Sequence, residues 1–429
     1  MNAKEIFLDL VSKVVKGQVS LDEAIAEVHS QRIKPWLDKE VVLNLNQTIN
    51  SLANQSPPQA YYLATLNYES AKIIGDSLLR GYFAFTLASL SLRLARYHQA
   101  IKLYEEALPI FEELNERQAA GATTGNLGHA YRSLGQYQKA IEYDEEALKI
   151  AREIGDRMGE GPELGNLGNA YYSLGQYQKA IDYYEEALKI IKEIGDRQGE
   201  GIWLGNLGNA YYSLGQYQKA IGYFEEGLKI AREIGDRQGE GTCLGNLGIA
   251  YGSLGQFQKA IGYFEEGLKI AREIGDRQGE GSRLGNLGNA YYSLGQYQKA
   301  IEYFEEALKI AREIGDRQAE EDWIDNLGNV FLSLKEYQKA IDHYEEARKI
   351  AEGLGDELGI GFTIGQLGRV HEEKGEYQSA IRNYLQASSV FRKLNSPHLE
   401  NTLDYLNRLK GSLGKERFEQ YIREIQREM

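Results

Sequence analysis

Eight blocks of forty residues stand in one phase from residue 81 to residue 400. The adjacent blocks 201–240 and 241–280 differ only at Ile202/Thr242, Trp203/Cys243, Asn209/Ile249, Tyr212/Gly252 and Tyr217/Phe257. A chain that repeats itself this closely is expected to stack its units, because each unit buries its apolar face against the next. The period therefore predicts an elongated array with one long surface, which is typical of binding rather than of a compact catalytic pocket.

Each block is predicted to form two helices. Apolar residues recur at helical spacing in two runs of the block 201–240, Leu204, Leu207, Tyr211 and Leu214, and then Ala220, Phe224, Leu228 and Ala231. Gly215 separates the runs, Gly235 is expected to end the second helix, and Asp236 is expected to cap the next. The unit is thus a helical hairpin, and the fold class is all-α.

The block resembles the tetratricopeptide repeat, in which a large residue is followed by Leu-Gly, Tyr, Ala, Phe and Ala. The matching residues are Leu204, Leu207, Gly208, Tyr211, Ala220, Phe224 and Gly227. The period is 40 rather than the usual value of about 34, and Arg232 replaces a helix-ending proline. This form is similar to Pins/LGN and kinesin light chain arrays and to bacterial multi-repeat proteins. The resemblance implies a right-handed superhelix of helical hairpins, an α-solenoid.

The two ends depart from the repeat. Before residue 41, one helical face carries Phe7, Leu10, Val11, Val14 and Val15, and Ser20 with Glu23 has the spacing of a capping box. The last residues read as a polar amphipathic helix. We predict a helical cap or adaptor at 1–40, a degenerate hairpin at 41–80, eight repeat units at 81–400 and capping helices at 401–429. A signalling adaptor is the alternative for 1–40.

The differences between near-copies concentrate on one face of the first helix. Counting 1 to 40 within each block, positions 2, 9 and 12 span roughly 80° of the helix, away from Leu204 and Leu207. In the resembled family this face lines the concave, peptide-binding groove. The candidate groove residues stand at positions 6, 9 and 12 and are Asn126, His129, Arg132, Asn166, Asn169, Tyr172, Asn206, Asn209, Tyr212, Asn246, Asn286, Asn289, Tyr292, Asn326, Asn329 and Arg369.

The chemistry of these residues suits a polypeptide ligand. An amide both donates and accepts hydrogen bonds, so a row of asparagines is able to pair with an extended backbone, and tyrosine adds rigid contact area. Specificity is expected from residues that deviate between repeats, which are Glu163, Trp203, Arg283, Asp322, Trp323 and Phe362. Two alternatives stay open: the position-6 asparagines lock repeat to repeat, and the two tryptophans belong to the core between repeats.

Asp144 breaks the pattern at position 24, where the other repeats have tyrosine or phenylalanine. A carboxylate inside a hairpin is costly unless it is hydrogen-bonded or turned to water. The residue is therefore interpreted as a tolerated local weakness, with a hinge or a partner contact as alternatives.

The composition limits the classes of partner that this protein is expected to bind. The net charge is −14 and no basic stripe is visible, so neither nucleic acid nor an anionic membrane surface is an expected partner. No apolar run is long enough to span a membrane, and Glu5 and Asp9 interrupt the N-terminal apolar stretch. With Cys243 as its one cysteine, the protein is predicted to be cytoplasmic.

The sequence contains no motif that is typical of a catalytic site. The six histidines are scattered without metal-ligand spacing, and the glycine pattern after Glu200 follows a helix rather than a strand. No catalytic residue, metal site or cofactor is expected, and Cys243 is interpreted as an inert thiol.

The predicted function is a non-enzymatic protein–protein interaction scaffold that binds a peptide segment of a partner in its groove. The alternative is a peptide-sensing regulator whose residues 1–80 relay a signal. An enzyme within that N-terminal segment is a third hypothesis, without a motif to support it. Self-association of the near-identical units also stays open.

Overall fold

The computed structural model describes residues 3–30, 37 and 39–428. These residues form 22 α-helices and no strand, which confirms the predicted all-α solenoid. The helices are α1 Ala3–Val15, α2 Leu21–Val28, α3 Lys39–Leu52, α4 Pro57–Ile74, α5 Ser77–Arg93, α6 Tyr97–Glu113, α7 Arg117–Ser133, α8 Tyr137–Ile154, α9 Arg157–Ser173, α10 Tyr177–Ile194, α11 Arg197–Ser213, α12 Tyr217–Ile234, α13 Arg237–Ser253, α14 Phe257–Ile274, α15 Arg277–Ser293, α16 Tyr297–Ile314, α17 Arg317–Ser333, α18 Tyr337–Leu354, α19 Glu357–Glu373, α20 Tyr377–Lys393, α21 His398–Leu413 and α22 Lys415–Glu428.

The chain forms two compact units, residues 1–216 and 217–429. In the first unit the hairpins α3/α4, α5/α6, α7/α8 and α9/α10 pack in sequence, with α1 and α2 against α4. In the second unit the hairpins α13/α14 to α19/α20 follow the same order, and α21 and α22 pack against α20. The predicted segment boundaries at 40, 80 and 400 stay a prediction.

The helix ends follow the local signals in the sequence. Gly235 has a positive φ of 75°, a conformation in which glycine meets no steric penalty. The Asp236 side chain accepts a hydrogen bond from the backbone N–H of Gly239 at 2.9 Å and caps α13. The predicted roles of both residues are confirmed, and the same glycine–aspartate pair ends and begins helices in neighbouring repeats.

Residues 3–30 have the local contacts that the sequence predicts. Ser20 and Glu23 form the capping box at the start of α2, and Leu10, Val11 and Val14 are buried in the core of the first unit. The Phe7 side chain, and Pro35 and Trp36 in the same segment, lie outside the described residues. Among the described helices, none is long and apolar enough to cross a membrane.

A glycine at position 8 brings the two helices of a hairpin together. A Cβ atom added to Gly288 would lie 2.6 Å from the ring of Phe304, and one added to Gly328 would meet Tyr344 at 2.6 Å. Glycine within a helix costs roughly 1 kcal/mol relative to alanine. The residue recurs despite that cost because the aromatic ring at position 24 occupies the space of any side chain.

Asp144 fits its hairpin through a partner rather than by turning to water. The side chain is fully buried, and Nη1 of Arg132 donates a hydrogen bond to it at 3.1 Å. Arg132 also donates to the backbone and side-chain oxygens of Asn166, at 3.2 and 3.0 Å. Burial raises the pKa of Asp144 to about 8, against the opposing effect of Arg132. The aromatic residue of other repeats is thus replaced by a carboxyl group that is hydrogen-bonded to an arginine of the same hairpin.

A set of ion pairs recurs between successive hairpins. Glu160 is buried and accepts hydrogen bonds from Nε of Arg152 at 2.8 Å and from Nη1 of Arg157 at 2.5 Å. Arg152 on α8 also reaches Glu186 on the next hairpin at 2.5 Å, and Arg157 reaches Glu193 within its own hairpin, α9/α10, at 2.6 Å. We call this arrangement the position-40 clasp. Its equivalents centre on Glu240, Glu280 and Glu320.

Candidate functional site

The first helices of successive hairpins form one side of the stack. Within the first unit α7 contacts both α5 and α9, and within the second unit α15 contacts both α13 and α17. Within each unit, the surface made by positions 2, 6, 9 and 12 of these first helices is here called the first-helix face; it runs from α7 to α11 in the first unit and from α13 to α19 in the second. It is the surface on which the sequence placed the groove.

All sixteen predicted groove residues have access to solvent. His129 and Asn289 are exposed, and the other fourteen are half-buried. None of the sixteen is closed inside a hairpin, so a ligand is able to reach each of them. Their role in binding stays a prediction.

Several of the asparagines also link neighbouring repeats. The side-chain oxygen of Asn169 accepts a hydrogen bond from the Tyr184 hydroxyl at 2.8 Å and from Nδ2 of Asn206 at 3.4 Å. The equivalent contacts in the second unit join Asn329 to Tyr344 at 2.9 Å and to Gln366 at 3.1 Å. The locking alternative is therefore favoured for Asn206 and for Gln366.

Two tyrosines at position 12 also link neighbouring repeats by hydrogen bonds. The hydroxyl of Tyr172 lies 3.0 Å from the Ser213 hydroxyl, and that of Tyr292 lies 2.9 Å from the Ser333 hydroxyl, in each case one repeat further along. The candidates whose side chains make no hydrogen bond within the described part of the chain are Asn126, His129, Asn286, Asn289 and Asn326.

The two tryptophans at position 3 pack between first helices. The Trp203 ring stacks on Tyr184 at 6.1 Å between centroids, and the Trp323 ring stacks on Phe304 at 6.2 Å. Each indole covers a glycine of the preceding repeat, Gly165 under Trp203 and Gly285 under Trp323. The packing alternative is thus favoured for both, and glycine is required at Gly165 and Gly285 because the indole of the next repeat fills the space of a side chain.

One repeat lacks glycine at both position 1 and position 5. Repeat 321–360 has Glu321 at position 1 and Asp325 at position 5, where every other repeat from 121 to 400 has glycine, and it adds Asp322 at position 2. Only Asp322 was singled out from the sequence. The loss of two otherwise invariant glycines within one repeat is the signal that could have found the other two.

These carboxylates line a cleft of about 440 Å³ between α15, α17 and α19. Asn289 and Asn326, two of the predicted groove residues, lie in its wall. The full lining consists of Asn289, Gln318, Glu321, Asp322, Trp323, Asp325, Asn326, Asp356, Leu358, Gly359, Phe362 and Thr363. The space exists in part because position 3 of the following repeat is the small Thr363 instead of a tryptophan or an arginine.

Two carboxylates in the cleft lack sufficient partners. Glu321 is 4% exposed and its Oε2 has no hydrogen-bond partner among the described residues. Burial, together with the charges of Asp356, Asp322 and Asp325, raises the pKa of Glu321 to about 7. At neutral pH this side chain therefore holds a proton in a substantial fraction of molecules unless a cation approaches it.

Asp325 is only half satisfied. Its Oδ2 accepts a hydrogen bond from Nδ2 of Asn329 at 3.1 Å, whereas its Oδ1 is buried without a partner in the described residues. Burial raises the pKa of Asp325 to about 6, although Arg369 lowers it. The cleft thus has two acceptor oxygens that face no donor.

Larger clefts lie on the side of the second helices, but their charges are paired. The cleft of about 650 Å³ near Leu308 is lined by Arg312 and Glu346 among others. Arg312 donates to Glu346 at 2.9 Å and to Glu320 at 2.8 Å, as part of a position-40 clasp. A ligand there would have to compete with these bonds, so volume alone does not favour this side.

Metal and thiol chemistry gain no support from the described residues. No group of three or more His, Cys, Asp or Glu side chains among them is placed to hold a metal ion. Cys243 is buried, and burial raises the pKa of its thiol to about 11. Such a thiol stays protonated at neutral pH and is a poor nucleophile.

Solved structures with a similar fold include three bacterial and archaeal proteins. A signal transduction ATPase with numerous domains and a tetratricopeptide repeat sensor from Pyrococcus horikoshii is 23% identical, with a TM-score of 0.64, and the match covers 89% of this chain and 56% of that one. Aspartyl phosphate phosphatase F from Bacillus subtilis is 18% identical, with a TM-score of 0.55 and coverage of 82% and 94%. The quorum sensor NprR from B. thuringiensis is 16% identical, with a TM-score of 0.56 and coverage of 82% and 99%. These likenesses show the fold alone.

The repeat itself is recognised directly from sequence. No curated protein sequence matches the chain. The sequence model of the tetratricopeptide repeat matches residues 82–153, 164–233, 228–273, 243–313, 282–353 and 320–393, which together are more than half of the chain. The chain therefore belongs to the tetratricopeptide repeat family.

Proposed function

We propose that this protein is a non-enzymatic scaffold that binds a peptide segment of a partner protein on its first-helix face. Tetratricopeptide repeats imply protein–protein interaction in general. The observation that carries the proposal further is the open cleft of about 440 Å³ on this face, whose wall includes Asn289 and Asn326. A solvent-accessible recess with unpaired polar groups is the usual form of a ligand site.

The unbonded amides define how a peptide would be held. Asn286, Asn289 and Asn326 follow one another along α15 and α17, and their side chains make no hydrogen bond in the described structure. Each amide offers two donors and an acceptor, and the backbone of an extended peptide offers one of each per residue. Binding through these groups is tolerant of the partner's sequence, so specificity comes from the cleft beside them.

The test is capture of the partner by variants of the full chain. Replacing Asn286, Asn289 and Asn326 together by alanine removes the amides without breaking any side-chain hydrogen bond of the described fold. Pull-downs from native lysate, read by mass spectrometry, should recover the partner with the intact chain and lose it with the triple variant.

The matched control replaces three exposed glutamines on second helices, Gln258, Gln298 and Gln338, by alanine. It should capture the partner as the intact chain does, with circular dichroism showing the same helicity in all three proteins. Undiminished capture by the triple asparagine variant would show that the groove assignment is wrong.

A peptide-sensing regulator is the second candidate. Two of the structurally similar proteins are sensors by name, the quorum sensor NprR and the protein with a tetratricopeptide repeat sensor. A regulator would change the solution scattering profile, or the rate of proteolysis of residues 1–80, when it binds its peptide. A scaffold would bind with neither change.

A further inference from the structure

The buried carboxylates of this protein fall into two groups, those that accept hydrogen bonds from arginines and those that do not. Glu320 accepts hydrogen bonds from Nε of Arg312 at 2.8 Å and from Arg317, and its equivalents in other repeats are held in the same way. The next residue, Glu321, is equally buried and has neither an arginine nor any hydrogen bond in the described structure. The cleft thus contains a carboxyl oxygen to which no group of the described fold donates a hydrogen bond.

The charge belongs to a single repeat. Glu321 and Asp325 replace glycines of the neighbouring repeats, of which Gly285 lies directly under Trp323, and Asp322 is added between them. A buried, unsatisfied carboxylate costs free energy, on the order of a few kcal/mol. Oε2 of Glu321 and Oδ1 of Asp325 have no hydrogen-bond partner in the described structure to offset that cost, which points to a ligand as the missing partner.

We propose that this cleft binds the cationic side chain, lysine or arginine, of the partner's peptide segment; this inference rests on the proposed function and names the chemistry of its ligand. The ammonium or guanidinium group donates hydrogen bonds to Oε2 of Glu321 and to Oδ1 of Asp325. Both atoms are buried acceptors without a donor in the described structure, and charge-assisted hydrogen bonds of this kind are the strong ones.

The walls of the cleft suit the rest of such a side chain. Phe362, which is 40% exposed, and Trp323 both line the cleft. Aromatic faces bind the aliphatic stem of lysine or arginine and attract its charge. The volume of about 440 Å³ lies within the range of ligand sites, roughly 300–1,000 Å³, and exceeds the need of a bare ion.

A peptide fits better than a metal ion or a free polyamine. The described residues hold no group of three side chains arranged for a metal. Asn289 and Asn326 lie in the wall beside the carboxylates and offer amides that a peptide backbone is able to engage. The net charge of −14 also attracts cationic partners over longer distances.

The experiment selects short random displayed peptides on the full chain. Three proteins are compared: the intact chain, the variant Glu321→Gln with Asp325→Asn, and a control with Glu302→Gln and Glu345→Gln. The control neutralises two exposed carboxylates on the second helices α16 and α18. The intact chain and the control should enrich peptides with lysine or arginine at one position, and the cleft variant should lose that enrichment.

The most enriched peptide then measures the contact itself. Its affinity, followed by fluorescence anisotropy, should fall by roughly tenfold or more for the cleft variant, and similarly when its basic residue is replaced by glutamine. The two changes together should weaken binding little beyond either alone, because they remove the same contact. Circular dichroism and the thermal midpoint establish that the cleft variant is folded.

The outcomes separate the two proposals. Enrichment of peptides without a basic residue, or equal affinity for the cleft variant, would overturn the assignment of the cleft and leave peptide binding intact. Binding of spermidine without enrichment of basic peptides would also overturn it, in favour of a free polyamine. Failure of the intact chain to enrich any peptide would contradict the proposed function, and this inference with it.

Discussion

Glu321 and Glu320 are adjacent in sequence and similarly buried, yet their environments are opposite. Glu320 accepts hydrogen bonds from two arginines, whereas Glu321 faces Asp322 and Asp325 on its own helix and Asp356 at the start of α19. The α15 side of the cleft contributes the uncharged Asn289. The difference arises because the glutamate at position 40 has arginine partners at positions 32 and 37 in every clasp, whereas position 1 is glycine in the other repeats.

Substituting Glu321 by glutamine should therefore stabilise the free protein at alkaline pH. The pKa of Glu321 is raised to about 7, so the stability linked to its proton is present below its unfolded value and is lost as the pH rises through about 7. Glutamine does not titrate. In urea titrations the variant should match the intact chain near pH 5 and exceed it near pH 8, by about 1–3 kcal/mol.

Glu345→Gln is the control for that comparison, since Glu345 is exposed on α18. Its effect should be small and nearly independent of pH. A difference between Glu321→Gln and the intact chain that stayed constant from pH 5 to pH 8 would show that the carboxyl group does not titrate in this range.

The sequence alone predicted the accessible amides but missed the two carboxylates that define the cleft. The reason is physical: position 3 of one repeat covers position 5 of the preceding repeat, as Trp323 covers Gly285. This contact joins residues 38 positions apart, and the pattern within a block does not reveal it. Once the contact is known, Asp325 under the small Thr363 indicates an opening.

Asp144 shows that a contact within a repeat is also hidden from the sequence pattern. Its departure from the aromatic pattern was visible in sequence, and so was the departure of Arg132 at position 12. Only the packing of α7 on α8 shows that the two residues compensate each other, with 3.1 Å between Nη1 and Oδ2. A substitution that looks like a weakness by itself is one half of a hydrogen-bonded pair.

At the level of helices and hairpins the sequence was a sufficient guide. Helix ends depend on local signals, such as Gly235 with its positive φ and Asp236 with its cap, and local signals repeat with the block. The clasp was not predicted, because Arg152 on α8 contacts Glu160 and Glu186, which both lie on the next hairpin, α9/α10. Contacts between hairpins are therefore where the sequence pattern stops being informative.

The clasp should make the array sensitive to acid. Burial alone would raise the pKa of Glu240, but hydrogen bonds from Arg232 and Arg237 lower it below the ordinary glutamate value. A lowered pKa means that the stabilisation is present above the unfolded pKa and is lost as the pH falls below about 4.5. Glu240→Gln should thus lower stability at pH 7, by about 1–3 kcal/mol.

That deficit should shrink as the pH is lowered from about 5 to about 3, because the carboxylate of the intact chain then becomes protonated as well. Urea midpoints at each pH give the measurement, and the exposed Glu302→Gln provides the control. A deficit that persisted unchanged at pH 3 would assign the effect to side-chain packing instead of charge.

We also expect each forty-residue repeat to contribute separately to the free energy of unfolding. In a stacked array, each hairpin contacts only its neighbours, so the free energy is close to a sum of hairpin and interface contributions. Residues 241–280 are a near-copy of residues 201–240 and lie outside the cleft. Removing all forty joins Glu240 to Gly281, which preserves the phase of every helix and the sequence at the junction.

Deletion of 241–280 should therefore give a folded protein with the same helicity per residue, a modestly lower urea midpoint and an unchanged affinity for the basic peptide. The matched control deletes only 241–260, which removes a first helix and places two second helices in succession. Their apolar faces then lack partners, and the midpoint should fall much further. Similar stability of the two deletions, measured by circular dichroism during urea unfolding, would contradict the hairpin as the unit of folding. Loss of peptide affinity in the forty-residue deletion would show instead that the binding site extends beyond residues 281–400.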